Sequence, residues 1–239
     1  MQSVKLYIPP TERRAEEAYK TLRTNLLFCG SDVKSIAITS CTPTEGKTTV
    51  SLNLAKSLAE SGKRVLLIDA DLRKSVMVNY CRVTQAIKGF SHYLSGQANF
   101  GDVVYATEIA NLHIIFAGPV PPNPAELLGG QTFKMTIEKL KTIYDYIIID
   151  TPPLGSVIDA AVIANECDGS VLVLSANTIS HRFAKKVVDL LKMAKCPLLG
   201  VILNKVDTKN STYGRYYGKY YGKYYGKYYG KEADKYFQD

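Results

Sequence analysis

The sequence predicts an α/β fold in which a mostly parallel β-sheet is covered by helices on both faces. Short apolar runs of strand length alternate with longer amphipathic runs of helix length, and a loop containing Gly-Lys-Thr follows the first such strand. Apolar strands separated by helices are typical of a parallel sheet that is buried on both faces. Such sheets bind ligands beyond the carboxyl ends of their strands, so functional residues are expected there.

The individual elements follow from hydrophobic spacing, taken in chain order. Apolar residues recur at helical intervals in four segments, residues 15–28, 48–61, 132–143 and 178–194. Short apolar runs predict six strands, residues 35–39, 64–68, 111–116, 146–149, 170–174 and 198–203. Each of the four predicted helices is followed by a predicted strand, as the parallel arrangement requires.

Composition narrows the class of protein. The chain has 239 residues, of which 46% are apolar, so it can bury a core. No apolar run approaches the roughly 18 residues that cross a bilayer, and residues 1–10 contain no apolar signal core. We therefore expect a cytoplasmic protein that reaches a membrane only through a partner. The net charge of +8 suits nucleic acid, anionic membranes or phosphorylated ligands equally well and selects none of them.

The C-terminal segment has low complexity. The tetrapeptide Tyr-Tyr-Gly-Lys repeats with period four, and ten of the seventeen tyrosines lie between Tyr213 and Tyr236. A glycine at every fourth position costs a helix about 1 kcal/mol each time, and the pattern lacks the alternation of a half-buried strand. We predict a flexible arm outside the folded domain.

The loop after the first strand carries the core of a Walker A motif. Gly46 allows a tight backbone bend, and successive backbone N–H groups can then face the β-phosphate at the start of a helix. Lys47 supplies a positive charge for the β- and γ-phosphates, and the Thr48 hydroxyl is placed to ligate Mg²⁺. Cys41 replaces the first glycine of the usual motif. The predicted nucleotide-binding residues are Thr42, Pro43, Thr44, Glu45, Gly46, Lys47, Thr48 and Thr49.

Two later strands end in aspartates. The run from Val65 leads into Asp69 and Asp71, and the run from Tyr146 leads into Asp150. At the carboxyl edge of a parallel sheet these carboxylates lie beside the phosphates, where they can hold Mg²⁺ directly or through water. Because Asp69 and Asp71 exceed what one metal ion needs, one of them can act as general base for an attacking hydroxyl.

Together these motifs resemble the bacterial tyrosine kinases, specifically the separate cytoplasmic kinase subunit of capsule and exopolysaccharide synthesis systems. The resemblance rests on the deviant Walker A loop of residues 40–49, on the A-prime box Val65–Arg73 with Asp-x-Asp-x-Arg, and on the Walker B strand that ends in Asp150-Thr-Pro-Pro. A proline-rich segment, residues 118–128, and the C-terminal tyrosines also match, so the resemblance spans nearly the whole chain. It implies a P-loop NTPase-like single domain with a flexible C-terminal tail.

The resemblance implies a non-specific protein-tyrosine kinase that uses ATP and Mg²⁺. In this scheme Lys47 holds the phosphates, Thr48 and Asp71 form the metal shell, and Asp150 holds the metal through water. Asp69 is the expected general base. Independently of the resemblance, the Asn204-Lys-Val-Asp207 box predicts that Asn204 lies near the base whichever purine is bound. The acceptors are the tail tyrosines of neighbouring copies: Tyr213, Tyr216, Tyr217, Tyr220, Tyr221, Tyr224, Tyr225, Tyr228, Tyr229 and Tyr236.

The resemblance also implies an assembly. Family members form rings through a Glu-x-x-Arg-x-x-Arg motif, which here is Glu17, Lys20 and Arg23. Lys20 keeps the charge of the first arginine but lacks its bidentate fork. The expected partners are the cytoplasmic segment of a membrane adaptor or co-polymerase that activates the kinase, a tyrosine phosphatase, and other tyrosine-containing proteins, with no nucleic acid. The expected division is an oligomerisation helix in residues 1–30, a kinase domain in 31–210 and a tail in 211–239.

Three other functions are alternatives to a kinase, and single features of the sequence bear on each of them. A partition or septum-positioning ATPase would carry a signature lysine five residues before Lys47, where this chain has Thr42. A GTPase is indicated by Asn204-Lys-Val-Asp207, although Asp150 precedes Thr-Pro-Pro and not the Asp-x-x-Gly of a γ-phosphate switch. A Tyr/Gly/Lys arm could also stack on single-stranded nucleic acid, which would leave the A-prime carboxylates without a role.

Overall fold

A computed structural model describes residues 2–207 of the chain. These residues form eight strands and nine helices. The strands are β1 (Gln2–Ser3), β2 (Ser35–Ser40), β3 (Val65–Asp69), β4 (Tyr105–Ala106), β5 (Leu112–Ile115), β6 (Tyr146–Asp150), β7 (Gly169–Ser175) and β8 (Leu198–Asn204). The helices are α1 (Arg13–Leu27), α2 (Lys47–Glu60), α3 (Met77–Tyr80), α4 (Phe90–Leu94), α5 (Phe100–Val103), α6 (Pro124–Gly129), α7 (Gln131–Leu140), α8 (Asp159–Ala164) and α9 (His181–Met193).

The strands form one sheet in the order β1-β4-β5-β3-β6-β2-β7-β8. Every pair is parallel except β4 with β5, so the predicted mostly parallel sheet is confirmed. Strand β2, which leads into the Walker A loop, lies between β6 and β7. Strands β3 and β6 are direct neighbours, and this adjacency brings the two aspartate-bearing strand ends together.

The core lies on both faces of this sheet, as apolar strands without polar alternation predict. Along β3, Leu66 and Ile68 join a cluster with helices α4, α7 and α8, whereas Val65 and Leu67 join a cluster with α2 on the opposite face. All four side chains are fully buried. Burial on both faces fixes the strand register, because a shift by one residue would exchange the two sets of contacts.

Helix α2 is the most deeply buried long helix of the fold. Val50, Leu54 and Leu58 are buried against the sheet, and α1 covers the outer side. The covering helix is held by Leu26, which is buried, and by Arg23, whose Nη1 donates to the Ser57 carbonyl at 2.8 Å. Helix α2, whose first residue is Lys47, is thus held between the sheet and α1.

All six predicted strands and four predicted helices are present. The structure adds two-residue strands β1 and β4 and short helices such as α6 and α8, each of six residues. Segments this short contain too few residues to show a periodicity, so hydrophobic spacing could not reveal them. Residues 208–239, which contain the predicted tail, lie outside the described residues, and the division into domains stays a prediction.

Candidate active site

The Walker A loop connects β2 to α2 and closes on a glycine in the left-handed region. Gly46 has φ +93° and stands immediately before the first residue of α2. A Cβ atom at this position would lie 2.2 Å from the side-chain nitrogen of Asn204. Both the backbone conformation and this close approach require glycine.

Glu45 braces the loop from the inside. Its Oε2 accepts a hydrogen bond from the Thr42 N–H at 2.8 Å, and its Oε1 accepts one from the Ser175 N–H at 3.2 Å. The residue is only 2% exposed. The carboxylate therefore joins the first half of the loop to the end of β7, a role that the sequence did not reveal.

The end of β8 holds the other side of the loop. The Asn204 Nδ2 donates to the carbonyl of Glu45 at 2.9 Å, and the Lys205 Nζ donates to the carbonyl of Thr44 at 2.7 Å. The Asn-Lys-Val-Asp box predicts Asn204 near the purine, and the described contacts place its amide nitrogen on the loop backbone. The Asn-Lys segment thus supports the loop whichever purine is bound.

Cys41 takes the position of the first motif glycine and is completely buried in the core. Burial, and secondarily the charge of Glu45, raises the pKa of its thiol to about 11, so the side chain is a neutral thiol at physiological pH. The backbone carbonyl oxygen of Cys41 lies close to Gly155, where an added Cβ atom would be 2.1 Å from this oxygen. The loop therefore packs closely on the segment that follows β6.

Thr48 and Asp150 are in direct contact. The Thr48 hydroxyl donates to Asp150 Oδ2 at 2.6 Å, and the Ser51 hydroxyl lies 3.4 Å from Asp150 Oδ1. Burial raises the pKa of the Asp150 carboxyl to about 6, while Thr48 and Lys47 oppose this shift. Lys47 is 8% exposed and is the first residue of α2, directly after the loop. Lys47, Thr48 and the Walker B aspartate therefore form one cluster.

Asp69 lies opposite Asp150 in the β3–β6 pairing. Its Oδ2 accepts a short hydrogen bond from the Ser75 hydroxyl, and its Oδ1 accepts one from the Asp71 N–H at 3.2 Å. Burial, followed by the charge of Asp150, raises the pKa of the Asp69 carboxyl well above its usual range. At 1% exposure, with both oxygens bonded, Asp69 is closed to an incoming hydroxyl in this conformation, whereas Asp71 is partly exposed.

The oxygen atoms of this cluster suit Mg²⁺ that arrives with a nucleotide. Within residues 2–207, no three His, Cys, Asp or Glu side chains are grouped so that they could hold a metal ion alone. Protein-bound Mg²⁺ usually keeps several waters and substrate phosphate oxygens beside one or two carboxylates. The contact between Thr48 and Asp150, at a loop shaped for phosphates, fits that type of site.

Residues of the predicted oligomerisation motif contact their own chain. Lys20 and Glu17 form an exposed ion pair of 2.7 Å within α1. Arg23 donates to the backbone of α2, as described above, so its guanidinium also serves the packing of α1 on α2.

The predicted acceptor tyrosines, residues 213–236, lie outside the described residues. No helix in the described part of the chain is long and apolar enough to cross a membrane.

Known proteins resemble this chain along most of its length. A family model described as an AAA domain matches residues 33–195. The tyrosine-protein kinase CpsD of Streptococcus agalactiae serotype III is 47% identical over 202 residues, which cover 84% of this chain and 87% of that protein. The tyrosine-protein kinase YwqD of Bacillus subtilis is 42% identical over 201 residues, which cover 83% and 84%.

Solved structures also resemble this chain along most of its length. The kinase domain of the Escherichia coli tyrosine kinase ETK superposes with a TM-score of 0.78 at 36% identity, covering 83% of this chain and 78% of that one. The septum site-determining protein MinD of Pyrococcus horikoshii OT3, complexed with Mg-ADP, superposes with a TM-score of 0.64 at 29% identity, covering 74% and 72%. The fold is thus shared by kinases and by a P-loop protein of a different named role.

Proposed function

This chain belongs to the bacterial tyrosine-protein kinases, and we propose that it transfers the γ-phosphoryl group of ATP to C-terminal tyrosines of neighbouring copies. The observation that supports this most is the contact of Thr48 with Asp150, which lies opposite Asp69 on the neighbouring strand, with Asp71 bonded to Asp69 two residues further on. The second carboxylate of the A-prime box gives this site a group that can accept the proton that a tyrosine phenol loses during transfer.

Each residue of the cluster has a role in this proposal. The loop N–H groups and Lys47 bind the β- and γ-phosphates, and Thr48, Asp71 and Asp150 hold Mg²⁺, which neutralises charge on the phosphates when bound. The tyrosine oxygen forms a bond to the γ-phosphorus as the bond to the bridging oxygen breaks, and ADP leaves. Asp69 accepts the phenol proton once the Ser75 hydroxyl has moved away. Asp71 is the more exposed alternative base.

The composition of the C-terminal segment suits such a substrate. From Thr212 onward the chain carries six basic and three acidic residues, so it is attracted to a site with three aspartates and a bound triphosphate. Each phosphate added to a tyrosine brings about −1.5 to −2 charges. Phosphorylation of several tyrosines therefore reverses the charge of the segment and favours its release.

The biological setting is part of the proposal. We propose that copies assemble in a ring through Glu17, Lys20 and Arg23, and that the cytoplasmic segment of a membrane adaptor activates them and brings them to the inner face of the membrane. A tyrosine phosphatase would reverse the modification. The process controlled is the synthesis and export of capsular or other exopolysaccharide.

Mass spectrometry of the C-terminal segment after incubation with Mg-ATP and the adaptor segment tests the proposal. Wild-type chain should gain phosphate on residues 213–236, whereas Lys47→Met should gain none. Asp69→Ala should lose phosphate transfer but keep the binding of Mg-nucleotide, as expected for the base, whereas Asp71→Ala should also weaken that binding, because Asp71 holds the metal. A wild-type chain that hydrolyses ATP without modifying any tyrosine would contradict the proposal.

That contradicting result would favour the second candidate, a partition-type ATPase or GTPase regulator without kinase activity. Two observations support this candidate, the structural likeness to MinD and the Asn204-Lys-Val-Asp207 box. Thr42 in place of the signature lysine and the tyrosine repeat weigh against it. Calorimetry with ATP and GTP as competitors would determine which purine the chain binds.

A further inference from the structure

Arg73, the last residue of the A-prime box, is joined to the first residue of helix α8. Its Nε donates to Asp159 Oδ2 at 2.7 Å, and its Nη2 donates to Asp159 Oδ1 at 2.9 Å. This is a bidentate pair, the geometry in which an arginine–carboxylate contact is strongest and most directional. The Asp159 side chain is 0% exposed, whereas that of Arg73 is 41% exposed.

The burial of Asp159 makes this pair different from a surface ion pair. A buried carboxylate that loses its cation is left uncompensated in a medium that solvates it poorly. Arg73 is therefore strongly held over Asp159. Since Asp159 begins α8, and α8 follows the Walker B strand through residues 151–158, the pair connects the loops that leave β3 and β6.

Backbone hydrogen bonds next to Arg73 connect the Arg73–Asp159 pair to the carboxylates of Asp71 and Asp69. Asp71 Oδ1 accepts hydrogen bonds from the N–H groups of Arg73 at 3.3 Å and of Lys74 at 3.0 Å. The Asp71 N–H in turn donates to Asp69 Oδ1. The orientation of the Asp71 side chain thus depends on where the backbone of Arg73 lies, and the Arg73 side chain is anchored on Asp159.

We propose that Arg73 and Asp159 are a positioning pair that orients Asp71 toward the magnesium of the bound nucleotide. The inference rests on the proposed function only in taking Mg-nucleotide as the ligand of this site. Neither residue touches the reacting atoms in this scheme. Lysine at position 73 would keep the charge but lose the fork, so it should not replace arginine fully.

The test measures how strongly Mg²⁺ tightens the binding of a non-hydrolysable ATP analogue to the full chain. Calorimetric titrations with and without Mg²⁺ are made on wild type, Arg73→Lys, Asp159→Asn and the double variant. We expect each single variant to reduce the Mg²⁺ effect by about 10-fold, as loss of an outer partner of a metal ligand does. Affinity without Mg²⁺ should stay within about 2-fold, and the double variant should be little worse than either single one, because residues that act through one contact are not additive.

Arg64 and Asp145 provide a matched control. They form an ion pair of the same residue types, 3.7 Å apart and exposed on both sides, and Asp145 precedes β6 at the opposite edge of the sheet. Arg64→Lys and Asp145→Asn should leave the Mg²⁺ effect unchanged. Arg73→Lys changes an exposed side chain without removing its charge, so it keeps the test decisive if Asp159→Asn folds poorly.

Other outcomes would overturn the inference. A Mg²⁺ effect that is unchanged in Arg73→Lys would do so, as would an equal loss of affinity with and without the metal, which indicates general damage to the loop. A wild-type chain without any Mg²⁺ effect would also overturn it. Because the measurement requires no phosphate transfer, a chain that binds Mg-nucleotide in this way but modifies no tyrosine would refute the proposed function alone.

Discussion

Thr48 donates its hydroxyl hydrogen to Asp150 at 2.6 Å, which directly joins the Walker A loop to the Walker B strand. The two residues are 102 positions apart, and the contact exists because β2 and β6 are neighbouring parallel strands. The contact places a hydroxyl and a carboxylate, whose oxygen atoms can both ligate Mg²⁺, where the β- and γ-phosphates are expected. The predictions below test this cluster and its supports.

Replacing Thr48 by valine should reduce phosphate transfer by at least about 100-fold, because the isosteric methyl group can neither ligate Mg²⁺ nor donate to Asp150. Phosphotyrosine formation with saturating Mg-ATP measures this. Thr48→Ser retains the hydroxyl and should stay within about 10-fold of wild type. If valine and serine behaved alike, the hydroxyl would have no role in the reaction.

Replacing Gly46 by alanine should abolish nucleotide binding, because the new methyl group would collide with the Asn204 amide and φ is +93°. Gly62 provides the control, since it has φ +85° but open space where a Cβ atom would lie. Gly62→Ala should therefore lower the melting temperature while leaving calorimetric nucleotide affinity unchanged. Equal losses of affinity in both variants would show that backbone strain alone, and not the contact with Asn204, explains the requirement for glycine.

Replacing Glu45 by glutamine should weaken nucleotide binding by about 10-fold. Glutamine offers a single oxygen, so its NH₂ group would face one of the two backbone N–H donors, on Thr42 or on Ser175, and leave it unpaired at a cost of about 1–3 kcal/mol. Glu60→Gln is the control, because Glu60 lies at the end of the same loop–helix unit in an exposed pair with Lys56. Unchanged affinity in Glu45→Gln would mean that the brace is not needed for nucleotide binding.

Replacing Asp150 by asparagine should stabilise the nucleotide-free chain, and the gain should depend on pH. The folded pKa of about 6 is above the value of 3.8 for an unfolded aspartate, so the folded state binds more protons between these values. The free energy of unfolding of the wild type therefore falls as pH rises from about 4 to about 6, while that of Asp150→Asn lacks this contribution. The difference between the two should grow over this range to about 1–3 kcal/mol and then level off.

Urea unfolding at several pH values, without nucleotide or Mg²⁺, measures that difference. Asp32→Asn, which changes an exposed carboxylate, should show no comparable pH-dependent gain. A constant difference between wild type and Asp150→Asn from pH 4 to pH 8 would refute the assignment of a raised pKa to Asp150.

Phosphorylation of the C-terminal tyrosines should loosen the assembly. Several phosphates reverse the charge of residues 212–239, so attraction to the aspartates of a neighbouring site becomes repulsion. Light scattering of unmodified and fully phosphorylated chain should show a smaller particle after modification, and the difference should shrink at high salt. The same particle size in both states would disprove this electrostatic mechanism.

Local sequence was sufficient to predict the sheet, the main helices and the residues at the carboxyl edge. The buried strands are continuous apolar runs, and each is long enough for a strand, so their positions follow from burial alone. Gly46, Lys47 and Thr48 were found because phosphate binding needs these residue types in consecutive positions. Asp69, Asp71 and Asp150 were found because each follows an apolar strand directly.

The supports of the site depend on strand order, which local sequence does not encode. Glu45 meets Ser175, Asn204 meets the loop carbonyl, and Arg73 meets Asp159 across 86 positions, because β7, β8 and α8 pack beside the loops that they hold. Strand order is set by long-range packing of two apolar faces, to which each residue contributes only a part. The residues predicted to bind phosphate could therefore be identified from the sequence, whereas only the tertiary structure determined which residues hold them in place.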